Sequence, residues 1–162
     1  MTARRLTRDA LLTAVALILF TVEAQIPVPV PLPGVKPGLA NIVTVWAACL
    51  LGPRDAFCIL LCRILLGSLF AGRMMTLFYS LSGGLLSFGA LLILRGVTTK
   101  NQLWICSVLA AVAHNAGQLA AAVWITKSLA VLAYFPFLAL SGMITGLFTG
   151  LCAQFLISRR LA

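Results

Sequence analysis

The chain has 162 residues; 62% are hydrophobic and only 9% charged, with a net charge of +9 and a mean hydropathy of +1.10. A soluble domain is about 45–50% apolar and about 25% charged, and a body of this size has too much surface to hide the excess. The composition excludes a soluble enzyme and a disordered tail and predicts an integral membrane protein, while no basic run exceeds two residues, which excludes the clustered patch of a nucleic-acid-binding protein.

Six apolar segments follow in chain order, and their continuously apolar character predicts an all-α protein rather than an alternating β-barrel. Span one covers about Thr7–Gln25, behind Arg4, Arg5 and Arg8. No small-residue cleavage site follows it, so it reads as a retained span and not a signal peptide. A proline-rich loop, Ile26–Pro37, comes next and predicts an extended, semi-rigid segment. It is either a spacer or a lid over an outward-facing cavity. Span two covers about Leu39–Leu51 and stops at Gly52-Pro53. Span three covers about Asp55–Ala71, span four Met75–Leu94, span five Leu103–Ile125 and span six Ala133–Ile157. The predicted organisation is a single six-helix transmembrane domain over residues 1–162.

Charge sets the expected orientation. With a cytoplasmic N-terminus, the inner side holds Arg4, Arg5, Arg8, Arg54, Arg95, Lys100, Arg159 and Arg160, and the outer side only Lys36, Arg73 and Lys127. This bias predicts a multi-pass protein of the cytoplasmic membrane with both termini inside. Trp104 and Trp124 bracket span five as interfacial anchors.

Polar residues at bilayer depth mark pathways, ligands or partners, because burying them in hydrocarbon is costly. Arg63 lies in the middle of span three and Glu23 near the outer end of span one. They form either a structural ion pair or, through Arg63, an anchor for an anionic group. Span five carries His114, Asn115 and Gln118 within five residues, with His114 and Gln118 on one face. These read as a ligand site or proton relay, set against an ordinary structural histidine. Span two adds Asn41 and Thr44. Ser80 and Ser82 beside Gly83-Gly84 read as packing positions. Gly142, Gly146 and Gly150 in span six, and Ala10 and Ala14 in span one, permit close helix approach, within the bundle or to another subunit.

Cys49, Cys58, Cys62, Cys106 and Cys152 form no CxxC and read as buried, reduced thiols. No metal site, cofactor or catalytic residue is expected. The three acids, Asp9, Glu23 and Asp55, are too few and too separated for a Mg²⁺–diphosphate site. No phosphate-binding loop is present, so any energy from ATP comes from a partner.

Five ordered motifs then carry a resemblance. Pro33–Thr44 reads PGVKPGLANIVT, Leu50–Ala56 LLGPRDA, Arg63–Leu69 RILLGSL, Ser82–Ser87 SGGLLS and Ala113–Leu119 AHNAGQL. The chain resembles the Gx transporter family, whose members are often labelled heptaprenyl diphosphate synthase component I. That family looks related to the substrate-binding S components of energy-coupling-factor transporters, and the resemblance implies an S-component-like six-helix bundle. It implies a small-molecule substrate, and the polar residues at depth place that substrate near Glu23, Asn41, Arg63, His114, Asn115 and Gln118. It also implies a transmembrane coupling subunit docking at Ala10 and Ala14, with partner ATPases, in the lipid bilayer. The label implies a rival role: a membrane accessory subunit of isoprenoid-quinone synthesis. A stand-alone channel or carrier is a third reading.

Overall fold

A computed structural model describes residues 2–23, 25, 38–72, 74–96, 98 and 102–161. The Ile26–Pro37 loop lies outside the described residues, as do Arg73 and Lys100. Among the described residues there are six α-helices: α1 (Ala3–Glu23), α2 (Asn41–Leu50), α3 (Pro53–Ala71), α4 (Met74–Leu94), α5 (Leu103–Thr126) and α6 (Phe135–Leu161). A 3₁₀ turn, Leu129–Tyr134, leads into α6. The protein is an all-α membrane protein. Three helical stretches are long and apolar enough to cross a bilayer: Met74–Leu94, Leu103–Thr126 and Leu129–Arg159. The other helices depart from that pattern for physical reasons. α2 has 10 residues, α1 carries Arg4, Arg5, Arg8, Asp9 and Glu23, and α3 carries Arg54, Asp55 and Arg63.

The helix boundaries follow local chemistry. Gly52 has φ +102°, which glycine reaches without strain, and Pro53 opens α3 where its missing N–H is not needed. Gly72 ends α3 in the left-handed region at φ +62°. Lys127 ends α5 in the same region at φ +53°, with its ammonium 5.3 Å from the Trp124 ring centroid.

The glycines of α6 are used inside the bundle. A Cβ on Gly142 would fall 2.7 Å from Asn115 Nδ2, and on Gly146 2.7 Å from Val108 Cα. On Gly150 it would fall 2.6 Å from Trp104 Cα. The small-residue stripe therefore seats α6 against α5, and these three positions are closed to another subunit. Ser107 and Thr149 hydroxyls share a 2.8 Å hydrogen bond across the same seam.

One end of the bundle collects charge. Arg5 bonds the Asp55 carboxylate through Nε at 2.9 and 3.0 Å and through Nη2. Arg8 Nη2 reaches Asp55 Oδ2 at 2.6 Å and Asp9 Oδ1 at 2.9 Å. These contacts pin the start of α1 to the start of α3. Arg95, just past α4, donates to the Ala48 carbonyl at 3.0 Å, bringing the ends of α4 and α2 to the same side. Because Arg5 and Arg8 are partly exposed, the Asp55→Asn protein should melt only a few degrees below wild type in detergent, with a smaller gap at high salt. Thermal unfolding at two ionic strengths checks this.

The cysteines depart from expectation. Cys106 is buried and Cys49 and Cys152 are half-buried, but Cys58 and Cys62 are exposed. They sit one helical turn apart on α3, where it opens toward α1, and a thiol is apolar enough for that setting.

Candidate functional site

Glu23 ends α1 with its side chain turned inward and only 2% exposed. Its carboxylate accepts the backbone N–H of Gly38, and that of Ala40 at 3.5 Å. These amides immediately precede α2, whose positive N-terminal dipole end favours an anion. Gly38 has φ +90°, so the turn that presents its amide to Glu23 depends on glycine. Arg63, from the middle of α3, is 4% exposed and donates from Nη2 to Asn41 Oδ1 at 3.2 Å. Of the two alternatives for these residues, the Glu23–Arg63 ion pair is not formed. Glu23 is taken by the start of α2, and Arg63 by the Asn41 side chain.

Both charges nevertheless line one small cavity. Phe20, Glu23, Gly38, Arg63, Ser80, His114 and Gln118 surround a volume of about 10 Å³. That is room for about one water. Three buried polar atoms on its walls have no hydrogen-bond partner: Arg63 Nε, His114 Nδ1 and Gln118 Oε1. An unsatisfied buried polar group costs roughly 1–3 kcal/mol, and a single occupant with both donor and acceptor atoms, a water included, would satisfy all three.

Close helix packing holds the walls in place. A Cβ on Gly117 would lie 2.7 Å from the Ser82 carbonyl oxygen and 2.9 Å from Gly83 Cα. Ser82 Oγ donates to the Gly117 carbonyl at 2.6 Å. A Cβ on Gly83 would strike Gln118 Cγ and the His114 carbonyl, each at 2.8 Å. So α4 and α5 meet backbone to backbone, and that contact fixes the depth of His114 and Gln118.

Four of the six residues expected at the site thus line the cavity: Glu23, Arg63, His114 and Gln118. Asn41 stands behind Arg63. Asn115 is placed apart, donating from Nδ2 to the Leu138 carbonyl at 2.7 Å beside Gly142. Asn115→Ala should lower stability by about 0.5–1.5 kcal/mol through loss of that one hydrogen bond, and leave ligand retention unchanged. Parallel melting and ligand-retention measurements check both halves.

A family model described as heptaprenyl diphosphate synthase component I matches residues 12–156. The chain belongs to this family. No curated protein and no solved structure matches it. The family match covers α2 to α5 entirely, with most of α1 and α6, and so includes every residue of the cavity. Sequence reasoning missed three lining residues, Phe20, Gly38 and Ser80. Ser80 was legible as a polar residue at depth but read as packing. Gly38 carried only the signal of a glycine after proline.

Ala10 and Ala14, where the resemblance implies a docking partner, lie elsewhere. They are exposed on α1 and line an apolar groove of about 480 Å³ between α1 and α3. Asp9 lies at one end of it, and Cys58 and Cys62 form part of the α3 wall. Among the described residues, no group of three or more His, Cys, Asp or Glu could hold a metal ion.

Proposed function

We propose that this component I chain is a binding subunit of the membrane, which holds a small polar molecule in the Glu23–Arg63–His114–Gln118 cavity while a partner does the chemistry. In the leading reading that partner is the catalytic component of heptaprenyl diphosphate synthesis, as the family description suggests. The observation that supports a binding role is the set of three unpartnered buried polar atoms around one cavity. Arg63 would meet an acceptor or anionic group, Gln118 a donor, and His114 either, according to its tautomer. A ligand larger than water would enter by displacing the Gly38 turn from Glu23, because that turn forms one wall.

The chain itself is poorly equipped for prenyl transfer, since Arg5 and Arg8 engage Asp55, and Arg8 also engages Asp9. The end bearing Arg5, Arg8, Arg54 and Arg95 would face the cytoplasm under the positive-inside rule, with both termini on that side of the cytoplasmic membrane.

A second reading is a substrate-binding subunit for uptake, energised by partner ATPases through a coupling subunit. The exposed groove at Ala10 and Ala14 favours it, since small residues allow a partner helix to approach closely. Purification in mild detergent separates the two, with mass spectrometry of the associated proteins and small molecules. A prenyl-synthase partner is the expected result. Coupling and ATPase subunits would replace it with the uptake reading, and a protein carrying no small molecule would overturn the binding role.

A further inference from the structure

The α1–α3 groove has a feature that an apolar helix seam does not require. Asp9 lines it, is 6% exposed, and has Oδ2 buried with no hydrogen-bond partner. Its other oxygen accepts two bonds from Arg8, from Nε at 3.0 Å and Nη2 at 2.9 Å. The other polar side chain on the α1 wall, Thr13, turns its hydroxyl back to the Asp9 carbonyl at 2.8 Å. Asp9 Oδ2 is thus left for a donor arriving from outside the chain.

Three chemistries meet along the groove. A carboxylate oxygen waits at one end. Just outside the groove lining, Arg8 bonds the other Asp9 oxygen and shares Asp55 with Arg5, their side chains 37% and 43% exposed. Their contacts to Asp55 and Asp9 run through Nε and Nη2, which leaves Nη1 of each with no hydrogen-bond acceptor among the described residues. Beyond Asp9 the walls are apolar past Ala14 to Leu17, about 12 Å along a helix. The groove volume of about 480 Å³ falls in the range of small-molecule sites.

We propose that this groove binds a phospholipid with a primary ammonium head group. The ammonium would donate to Asp9 Oδ2, the phosphate would accept from Arg5 and Arg8, and one acyl chain would lie along Ala10, Ala14 and Leu17. The recognised unit is neutral overall, which suits a cluster in which two arginines already face two carboxylates. A choline head cannot donate a hydrogen bond, and a glycerol head carries no cation. The site is separate from the Arg63 cavity and does not depend on the role given to it.

The test uses the full chain in vesicles of equal parts phosphatidylethanolamine, phosphatidylcholine and phosphatidylglycerol. After detergent extraction and washing, retained lipids are counted by mass spectrometry. Wild type should retain phosphatidylethanolamine roughly tenfold over each of the others, the scale of one hydrogen bond to a charged group. Asp9→Asn should abolish that preference. Ala14→Phe, which fills the groove and keeps Asp9, should lower phosphatidylethanolamine retention and remains readable if Asp9→Asn fails to fold. Retention of the three lipids in equal amounts by wild type overturns the proposal. So does a preference that survives Asp9→Asn, or a co-purifying membrane protein lost in Ala14→Phe while lipid retention is unchanged.

Discussion

Replacing Arg63 with glutamine is expected to reduce retention of the small molecule proposed to occupy the cavity by roughly thirtyfold or more, while the helices stay folded. Removing one partner of a buried, hydrogen-bonded charged contact costs about 2–5 kcal/mol of binding, which sets that scale. Stability should fall much less, because Glu23 keeps the amides of Gly38 and Ala40 without Arg63. Glutamine can also still donate toward Asn41 Oδ1 from its amide. Quantitative mass spectrometry of bound small molecules, with melting curves on the same samples, reads both effects. Gln118→Ala should lose the ligand as well, since Oε1 is one of the unpartnered acceptors on the cavity wall. Full retention by both variants would remove the cavity from the binding role. Collapse of both on purification would make Arg63 and Gln118 structural residues.

Gly117→Ala should be among the most destabilising single-methyl changes in this protein. The added carbon would meet the Ser82 carbonyl oxygen at 2.7 Å and Gly83 Cα at 2.9 Å, and both are backbone atoms of α4. Neither can rotate away, so the two helices must separate. Overpacking of a tight core costs about 1–3 kcal/mol, and a backbone-to-backbone contact belongs at the upper end. Gly89→Ala supplies the contrast on α4, because nothing lies within 4 Å of its added carbon. It should be neutral or stabilising by about 0.5–1 kcal/mol, the usual gain of alanine over glycine in a helix. Thermal unfolding in detergent compares the pair, and equal melting temperatures would refute the close α4–α5 contact. Ligand retention should fall in Gly117→Ala as well, because the seam sets the position of His114 and Gln118.

Most of the helical architecture was legible in the residues. Continuous apolar runs separated by Gly52-Pro53, Gly72-Arg73 and the polar stretch after Leu94 predict six helices whose cores agree with those observed. The ends were harder. Span one was expected to run about Thr7–Gln25, whereas α1 covers Ala3–Glu23, starting among its arginines. Those arginines could join the helix because Asp55, distant in sequence, receives Arg5 and Arg8. The start of α6 was masked by Leu129–Tyr134, which is as apolar as the helix it precedes, so composition alone draws no line there.

The candidate site was partly legible for a similar reason. A charged or amide side chain in an apolar run stands out whatever it touches, and Glu23, Arg63, His114 and Gln118 were visible in that way. What each one touches depends on helix rotation and depth. Asn115 lies one residue from His114, yet a helix turns about 100° per residue, which carries Asn115 to Leu138 on α6 while His114 faces the cavity. Glu23 and Arg63 invite pairing by opposite charge. The amides before α2 claimed Glu23, and backbone donors of that kind leave no trace in side-chain identity.

The sequence by itself determined the solvent of this protein, its helical class and the identity of its costly polar groups. Those follow from transfer free energies that each residue carries wherever it sits. Only the tertiary structure decided which polar groups share a cavity, which glycines serve α5–α6 and α4–α5 contact, and which carboxylate oxygen, Asp9 Oδ2, is left without a donor. Those outcomes depend on how helices rotate and approach one another. The +9 charge shows the difference most directly: its sign and excess come from composition, but the pairing of Arg5 and Arg8 with Asp55 exists only because α1 and α3 pack side by side.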